Sequence, residues 1–103
     1  MNPICRLDDL TEARAHRFVI DGRPIAVVRL GDTVHAIDDT CSHAKVSLSD
    51  GEVWPEACTL ECPKHGSAFS LTTGTPDTLP ATMPVAVHKV TVIDGDVHVE
   101  VAS

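Results

Sequence analysis

The chain has 103 residues and a formal net charge of −7 at pH 7, which corresponds to one acidic domain with a modest core. Its few Lys and Arg residues form no cluster that would neutralise phosphates, which argues against a nucleic-acid partner. No apolar run approaches the roughly 18 residues of a membrane helix, and the charged N-terminal residues argue against a signal peptide. We therefore expect a cytoplasmic protein with no membrane partner, whose cysteines favour metal binding over disulfides.

The composition favours strands over helices. There are only two Phe, one Trp and no Tyr, so the core must be built mainly from Val, Ile, Leu and Ala. In the first half of the chain, Asp21-Gly22 is a favoured hairpin turn, whereas the one helical candidate, residues 10–15, is too short to be informative. Strands are predicted over residues 4–7, 17–20, 25–30 and 34–37.

The second half continues in strands after an irregular stretch at residues 38–51. Residues 54–57 indicate an enlarged hairpin turn, and three prolines within residues 76–84 mark a loop that is too rich in proline for a central strand. The sequence therefore predicts a single all-β domain over residues 1–103. Its further strands are predicted over residues 52–54, 59–62, 68–71, 85–93 and 97–101.

Two short motifs each pair a cysteine with a histidine, namely Cys41-Ser42-His43 and Cys62-Pro63-Lys64-His65. Such mixed pairs suit a centre with two chemically distinct metals. A tetrahedral zinc site is also chemically acceptable, although zinc fingers usually group Cys with Cys and His with His. A Cys-His nucleophile is less suitable, because a duplicated pair serves no hydrolytic purpose. Chance placement of four unrelated residues is harder to accept for two pairs than for one.

These motifs resemble those of the Rieske-type ferredoxins, in which Cys-x-His precedes Cys-x-x-His-Gly. The resemblance extends through residues 44–52, Phe69, Thr73-Gly74 and residues 79–82, and so covers essentially the whole chain. Among these proteins, the chain looks like the small ferredoxins that serve non-haem iron oxygenases, particularly ring-hydroxylating dioxygenases. The resemblance implies an antiparallel β-sandwich with a small cluster-binding subdomain, at about residues 40–75, formed by two loops.

The resemblance also implies a cofactor and a role. One Rieske [2Fe–2S] cluster per chain would have one iron bound by Cys41 and Cys62 and the other by His43 and His65. The protein would then be an electron carrier and not itself an enzyme. It would accept single electrons from a flavin-dependent reductase and pass them to an oxygenase through transient contacts.

The chain departs from the high-potential Rieske proteins at several positions. Those proteins carry two further cysteines, where this chain has Val46 and Lys64, so the disulfide between the two loops cannot form. They also place a Tyr hydroxyl near a ligand sulfur, where this chain has Phe69, although Ser67 is expected to donate to a bridging sulfide. With fewer hydrogen bonds to its sulfur atoms, the reduced and more negative cluster is less stabilised. We predict a potential in the low part of the Rieske range of roughly −150 to +300 mV.

Other Cys, His, Lys and Pro residues invite functional interpretations that we consider weaker. Cys58 is interpreted as a partly buried thiol of the hairpin and Cys5 as a small core residue. The resemblance implies that the loop around Pro80 covers the cluster, while Trp54 fits either the core or a docking surface. Structural or solvated roles are expected for His16, His35, His88, His98, Lys45 and Lys64.

Three alternatives to the oxygenase ferredoxin are kept. The chain could be the Rieske-like small subunit of an assimilatory nitrite reductase, although four intact ligands argue against this. It could also be an accessory protein of iron–sulfur cluster biogenesis. The last alternative is a zinc-stabilised binding module without a redox role, which would be colourless, whereas a cluster is red-brown.

Overall fold

The computed structural model describes residues 3–40, 46–64, 66–76 and 83–102. Within these residues nine strands form two sheets, in which every neighbouring pair of strands is antiparallel. The large sheet has the order β1-β9-β8-β4-β3-β2, and the small sheet has the order β5-β6-β7. The strands are β1 (Cys5–Arg6), β2 (Ala15–Ile20), β3 (Arg23–Leu30), β4 (Thr33–Asp38), β5 (Val53–Trp54), β6 (Thr59–Glu61), β7 (Ala68–Ser70), β8 (Val87–Ile93) and β9 (Asp96–Glu100).

This architecture confirms the predicted all-β class and the predicted hairpin at Asp21-Gly22, and a second tight hairpin turns at Asp94-Gly95. Asp21-Gly22 and Asp94-Gly95 both have positive φ at their two central positions, which is the type I′ geometry that matches the twist of paired strands. The turn between β5 and β6 lies at residues 55–58, at the opposite end of β6 from Cys62. No helix in the described part of the chain is long and apolar enough to cross a membrane.

Residues 10–15, the one weak helical candidate, form no helix. A 3₁₀ helix occupies Leu7–Asp9 instead, and β2 begins at Ala15. Between them the Glu12 side chain accepts hydrogen bonds from the backbone N–H of Gly31, at 2.8 and 2.9 Å. Ala13 has φ +57, which a right-handed helix does not contain, and it donates its N–H to the Arg29 carbonyl of β3.

Strand β3 is the centre of the domain because it is buried on both faces. Its consecutive apolar residues point alternately into two cores. We call the first the sheet core; it is formed by Leu10, Ile25, Val27, Val34, Ala36, Val97 and Val99. We call the second the loop core; it lies between β3–β4 and the small sheet and is formed by Ala26, Val28, Ile37, Leu48, Val53, Leu60, Cys62, Phe69, Leu71 and Val85.

The small sheet packs against the preceding segment through Gly51. A second 3₁₀ helix, Leu48–Asp50, ends at Gly51, where the chain passes directly over Glu61 at the end of β6. A Cβ atom at Gly51 would overlap the carbonyl oxygen of Glu61. The Glu61 N–H also donates to the Glu52 carbonyl at 2.8 Å. The absence of a side chain at Gly51 therefore sets the distance between residues 48–51 and the strand that leads to Cys62.

A cluster of polar groups, which we call the C-terminal latch, ties the last residues to the large sheet. Arg23 donates two parallel hydrogen bonds of 3.0 Å to the Asp38 carboxylate, and its remaining nitrogen donates to the Ala102 carbonyl at 2.6 Å. The buried His88 accepts the Ala102 N–H on Nδ1 at 2.9 Å, so its other nitrogen, Nε2, carries the proton and donates to Asp38 at 2.8 Å. His88 thus has the structural role expected from the sequence.

Substitution Gly51→Ala is expected to lower the free energy of unfolding by about 1–3 kcal/mol, because the added methyl group must displace the Glu61 backbone. The measurement is urea unfolding followed by circular dichroism. The control is Asp50→Ala at the neighbouring exposed position, where a change within about 0.5 kcal/mol is expected. Equal stability of the two variants would contradict the proposed close packing.

The latch also predicts how stability depends on pH. Burial alone would raise the pKa of Asp38, but hydrogen bonds and charge from Arg23 and His88 lower it below its usual value. The stabilisation is therefore complete above about pH 4, the pKa of an unfolded Asp. It is lost as the pH falls further, through the lower pKa of the folded state.

We expect the difference in unfolding free energy between the wild type and Asp38→Asn to be constant from about pH 7 to pH 5 and to shrink below about pH 4. Asp21→Asn is the control, because Asp21 is exposed in a turn with positive φ that Asn also adopts. A difference for Asp38→Asn that does not change down to about pH 3 would contradict the lowered pKa.

Candidate metal centre

Of the four predicted ligands, Cys62 lies within the described residues, and Cys41, His43 and His65 lie outside them. Cys62 follows β6 immediately, and its free thiol is completely buried. It belongs to the loop core together with Leu48, Leu60 and Phe69. The mutual arrangement of the four ligands therefore remains a prediction, while the position of one of them in the fold is defined.

We call the segments that carry the first and second Cys/His motifs the first and second ligand loops. Two backbone hydrogen bonds close the second ligand loop directly at Cys62. The Cys62 N–H donates to the Ser67 carbonyl at 2.7 Å, and the Gly66 N–H donates to the Cys62 carbonyl at 3.0 Å. Gly66 has φ +75, a conformation that residues with a Cβ rarely adopt. These bonds hold Cys62 next to Gly66 and Ser67, between the end of β6 and the start of β7. Lys64 is exposed.

The first ligand loop leaves the same part of the domain. An antiparallel bridge joins Thr40 to Ser47 and closes the loop at its neck. Val46, just before Ser47, packs against the loop core, and Leu48, just after Ser47, is completely buried within it. Because Leu48 and Cys62 share one core, the necks of the two ligand loops are held side by side, as the sequence predicts for a subdomain built from two loops.

These residues fit an iron–sulfur cluster. A cysteine thiol set in an apolar core is shielded from water, and such an environment tunes the potential of a bound metal. Ser67, whose carbonyl accepts the Cys62 N–H, is also completely buried. Phe69 fills the core without a hydroxyl group. The soft thiol and the histidines of the two motifs are the donors that mixed Cys/His clusters use.

Cys58 and Cys5, for which the sequence predicts structural roles, lie away from these necks. Cys58 is half-buried at the far end of β6, with its Sγ 3.8 Å from His35 Nε2. Burial lowers the pKa of His35 and so favours its neutral form. Cys5 packs against the sheet core, and burial, followed by the charge of Asp9, raises the pKa of its thiol. Among the described residues, no three or more His, Cys, Asp or Glu side chains converge on a metal position.

Several other predicted features can also be located. Trp54 is 46% exposed and pairs with Thr59, so it lies at the far end of the small sheet from Cys62. Residues 77–82, which include Pro80, and Lys45 lie outside the described residues. His16 accepts the Thr11 N–H on Nε2 at 3.0 Å, which is a structural contact. Sequence reasoning missed Gly51 and the buried Asp39, which precedes the first motif by two residues.

Comparison with known proteins shows the same family over most of the chain. The family model described as the Rieske [2Fe-2S] domain matches residues 1–91. The chain is 39% identical over 100 residues to the anthranilate 1,2-dioxygenase ferredoxin subunit of Burkholderia cepacia, and the match covers 97% of this chain and 91% of that protein.

Solved structures agree with this assignment. The ferredoxin of carbazole 1,9a-dioxygenase from Nocardioides aromaticivorans has a TM-score of 0.92 at 37% identity, with 96% of this chain and 97% of that chain covered. A complex of reduced oxygenase and oxidised ferredoxin in carbazole 1,9a-dioxygenase contains a chain with a TM-score of 0.87 at 37% identity. The match covers 95% of this chain and 99% of that chain. A structure described as a nitrite reductase small subunit from Mycobacterium tuberculosis is more distant in sequence, with a TM-score of 0.85 at 26% identity, covering 99% and 96%.

The matched family sets the zinc alternative aside, because its members are defined by an iron–sulfur cluster. The two mixed motifs, the buried Cys62 and the paired loop necks all agree with that cofactor. The chain belongs to the Rieske [2Fe-2S] family, has the Rieske fold and binds a Rieske-type [2Fe–2S] cluster.

Proposed function

We propose that this protein is the ferredoxin of a ring-hydroxylating oxygenase system. It would accept single electrons from a flavin-dependent reductase and deliver them to the oxygenase. The observation that carries the proposal is the near full-length similarity to oxygenase ferredoxins at 37–39% identity, against 26% for the nitrite reductase subunit. One of those ferredoxins has been solved in complex with its oxygenase.

In the proposed site, Cys41 and Cys62 bind one iron and His43 and His65 bind the other. The bound cluster supplies reversible one-electron chemistry, at a potential that the two neutral imidazoles raise above that of an all-cysteine cluster. The protein contributes the position of the ligands. Cys62 packs in the loop core, and backbone hydrogen bonds to Gly66 and Ser67 fix its main chain.

The acidic charge of the chain supports transient docking. A net charge of −7 favours partners with basic faces and steers their approach at low ionic strength. Interfaces between redox partners are usually small, below about 1,200 Å² of buried surface, so that the carrier can leave after transfer. We therefore propose that the protein shuttles between its partners. We also propose that it does so in the cytoplasm.

The ligand assignment predicts that Cys41→Ser, His43→Ala, Cys62→Ser and His65→Ala each lose the cluster, because one iron is left with only one of its two protein donors. Cys58→Ser and Cys5→Ser are matched controls that remove a thiol elsewhere, and they should retain iron and sulfide at the wild-type level. Iron and sulfide analysis with visible absorption makes the comparison. Loss of the cluster in Cys58→Ser would require a different ligand set.

The proposed function is tested by electron transfer between purified components. The protein is reduced by NADH and a flavin-dependent ferredoxin reductase and is then mixed anaerobically with the oxygenase of carbazole 1,9a-dioxygenase, while its visible spectrum is followed. We expect reduction, then reoxidation, with a rate that falls as salt is added. Cys62→Ser is the inactive control.

Two further arms separate the alternatives. Reoxidation by a nitrite reductase large subunit and not by the oxygenase would favour the nitrite reductase assignment. Transfer of the intact cluster to an apo-ferredoxin, with no turnover of the oxygenase, would favour a biogenesis role. Either result would contradict the proposed function.

A further inference from the structure

Asp39 is a buried acid at the entrance to the first ligand loop. It follows β4 directly, lies two residues before Cys41 and is only 2% exposed. Moving a carboxylate out of water costs several kcal/mol unless charged or hydrogen-bonding partners compensate. Asp39 belongs neither to the predicted ligand set nor to the C-terminal latch, so its partners have to explain why a buried acid is present here.

The partners of the Asp39 side chain come from the far side of the loop. The Ser47 hydroxyl donates to Oδ2, and the Ser49 backbone N–H donates to Oδ1 at 2.8 Å. The Ser47 hydroxyl also contacts the Ser49 hydroxyl at 2.8 Å. From β2, Arg17 donates its Nε–H to Oδ2 at 3.2 Å and supplies the opposite charge. One carboxylate therefore connects the residue before the loop to two residues after it.

The backbone of Asp39 makes the same connection. The Leu48 N–H donates to the Asp39 carbonyl at 2.6 Å, and the Asp39 N–H donates to the Pro24 carbonyl of β3 at 3.1 Å. The bridge between Thr40 and Ser47 adds the next rung. Thr40 and Ser47 are thus joined at a neck that is fixed to the large sheet. In general, holding the two ends of a loop together reduces the conformational entropy of the chain between them.

We propose that Asp39 is a positioning residue for the cluster, which holds the first ligand loop so that Cys41 and His43 are preorganised for their irons. The inference rests on the proposed ligand assignment and adds to it a residue that does not touch the cluster. Ligand sites require such support, because a ligand that is free to move binds its metal more weakly and with less uniform geometry.

The chemistry of the neck favours a carboxylate over an amide. An ionised Asp is an acceptor at both oxygens, and three donors converge on it here. An Asn at this position would keep one acceptor oxygen, and in either orientation its NH₂ group would face another donor, the Ser49 N–H or the Arg17 guanidinium. Asp39→Asn therefore removes part of the network with little change in volume.

Asp38 provides a matched control one residue away. It too is a carboxylate bound by an arginine, but its partners are Arg23 and His88 of the C-terminal latch. Because successive side chains of a strand point to opposite faces, Asp38 contacts the latch and Asp39 contacts the ligand loop. Asp38→Asn thus removes the same charge and a comparable set of hydrogen bonds without loosening the neck.

The experiment compares the cluster-loaded wild-type, Asp39→Asn and Asp38→Asn proteins. Iron release is measured with a chelator well below the melting temperature, and the reduced proteins are examined by EPR. We expect Asp39→Asn to release iron roughly tenfold faster than Asp38→Asn, in line with the loss of hydrogen bonds to a charged group. Its EPR lines should be broader, because the ligand geometry becomes heterogeneous. A purely structural role would lower the stability of both variants without broadening the lines of either.

Equal iron release and equal EPR line widths in the two variants would overturn the proposal. If Asp39→Asn cannot be obtained with its cluster, iron release is compared between Ser47→Ala and its control Ser70→Ala. Both remove one serine hydroxyl, but Ser70 bonds in the turn at residues 70–75 after β7. Faster release from Ser47→Ala supports the proposal, and equal release overturns it. Cys41→Ser is tested alongside: if it keeps its cluster, the ligand assignment fails independently of Asp39.

Discussion

The structure depends on one packing constraint, namely that two ligand loops must leave from a single apolar base. Leu48, after the first loop, and Cys62, at the start of the second, lie in the same core with Leu60 and Phe69. Burial of each such large side chain contributes about 1.5–3 kcal/mol, so the energy that holds the loops together is mainly hydrophobic. Gly51 sets the separation between the two segments, because no side chain fits between it and Glu61.

At the end of β4, two neighbouring carboxylates stabilise different parts of the domain. The consecutive acids Asp38 and Asp39 point in opposite directions, and each is bound by its own arginine. Asp38 closes the large sheet against the C-terminal residues, whereas Asp39 closes the neck of the first ligand loop. This division explains how so acidic a chain can bury a carboxylate close to a site whose function is to accept negative charge.

The sequence predicts most of the fold because its signals are local. Asp-Gly turns, alternating apolar residues and proline positions place the strands to within one or two residues. It does not decide the structure of residues 10–15, where the Glu12 side chain bonds to Gly31, a contact that no local pattern contains. The burial of Asp39 and the need for glycine at position 51 are missed for the same reason. Cys62 directly follows β6, within the strand predicted over residues 59–62, while the other three predicted ligands lie outside the described residues.

The central claim is that mixed Cys/His ligation by Cys41, His43, Cys62 and His65 gives a low-potential Rieske cluster. A redox titration of the purified red-brown protein, followed by EPR, tests it most directly. The account predicts that the reduced protein shows a signal whose average g lies below the free-electron value. It also predicts a midpoint in the low part of the range of roughly −150 to +300 mV. A clearly positive midpoint, or a signal typical of all-cysteine ligation, would contradict it.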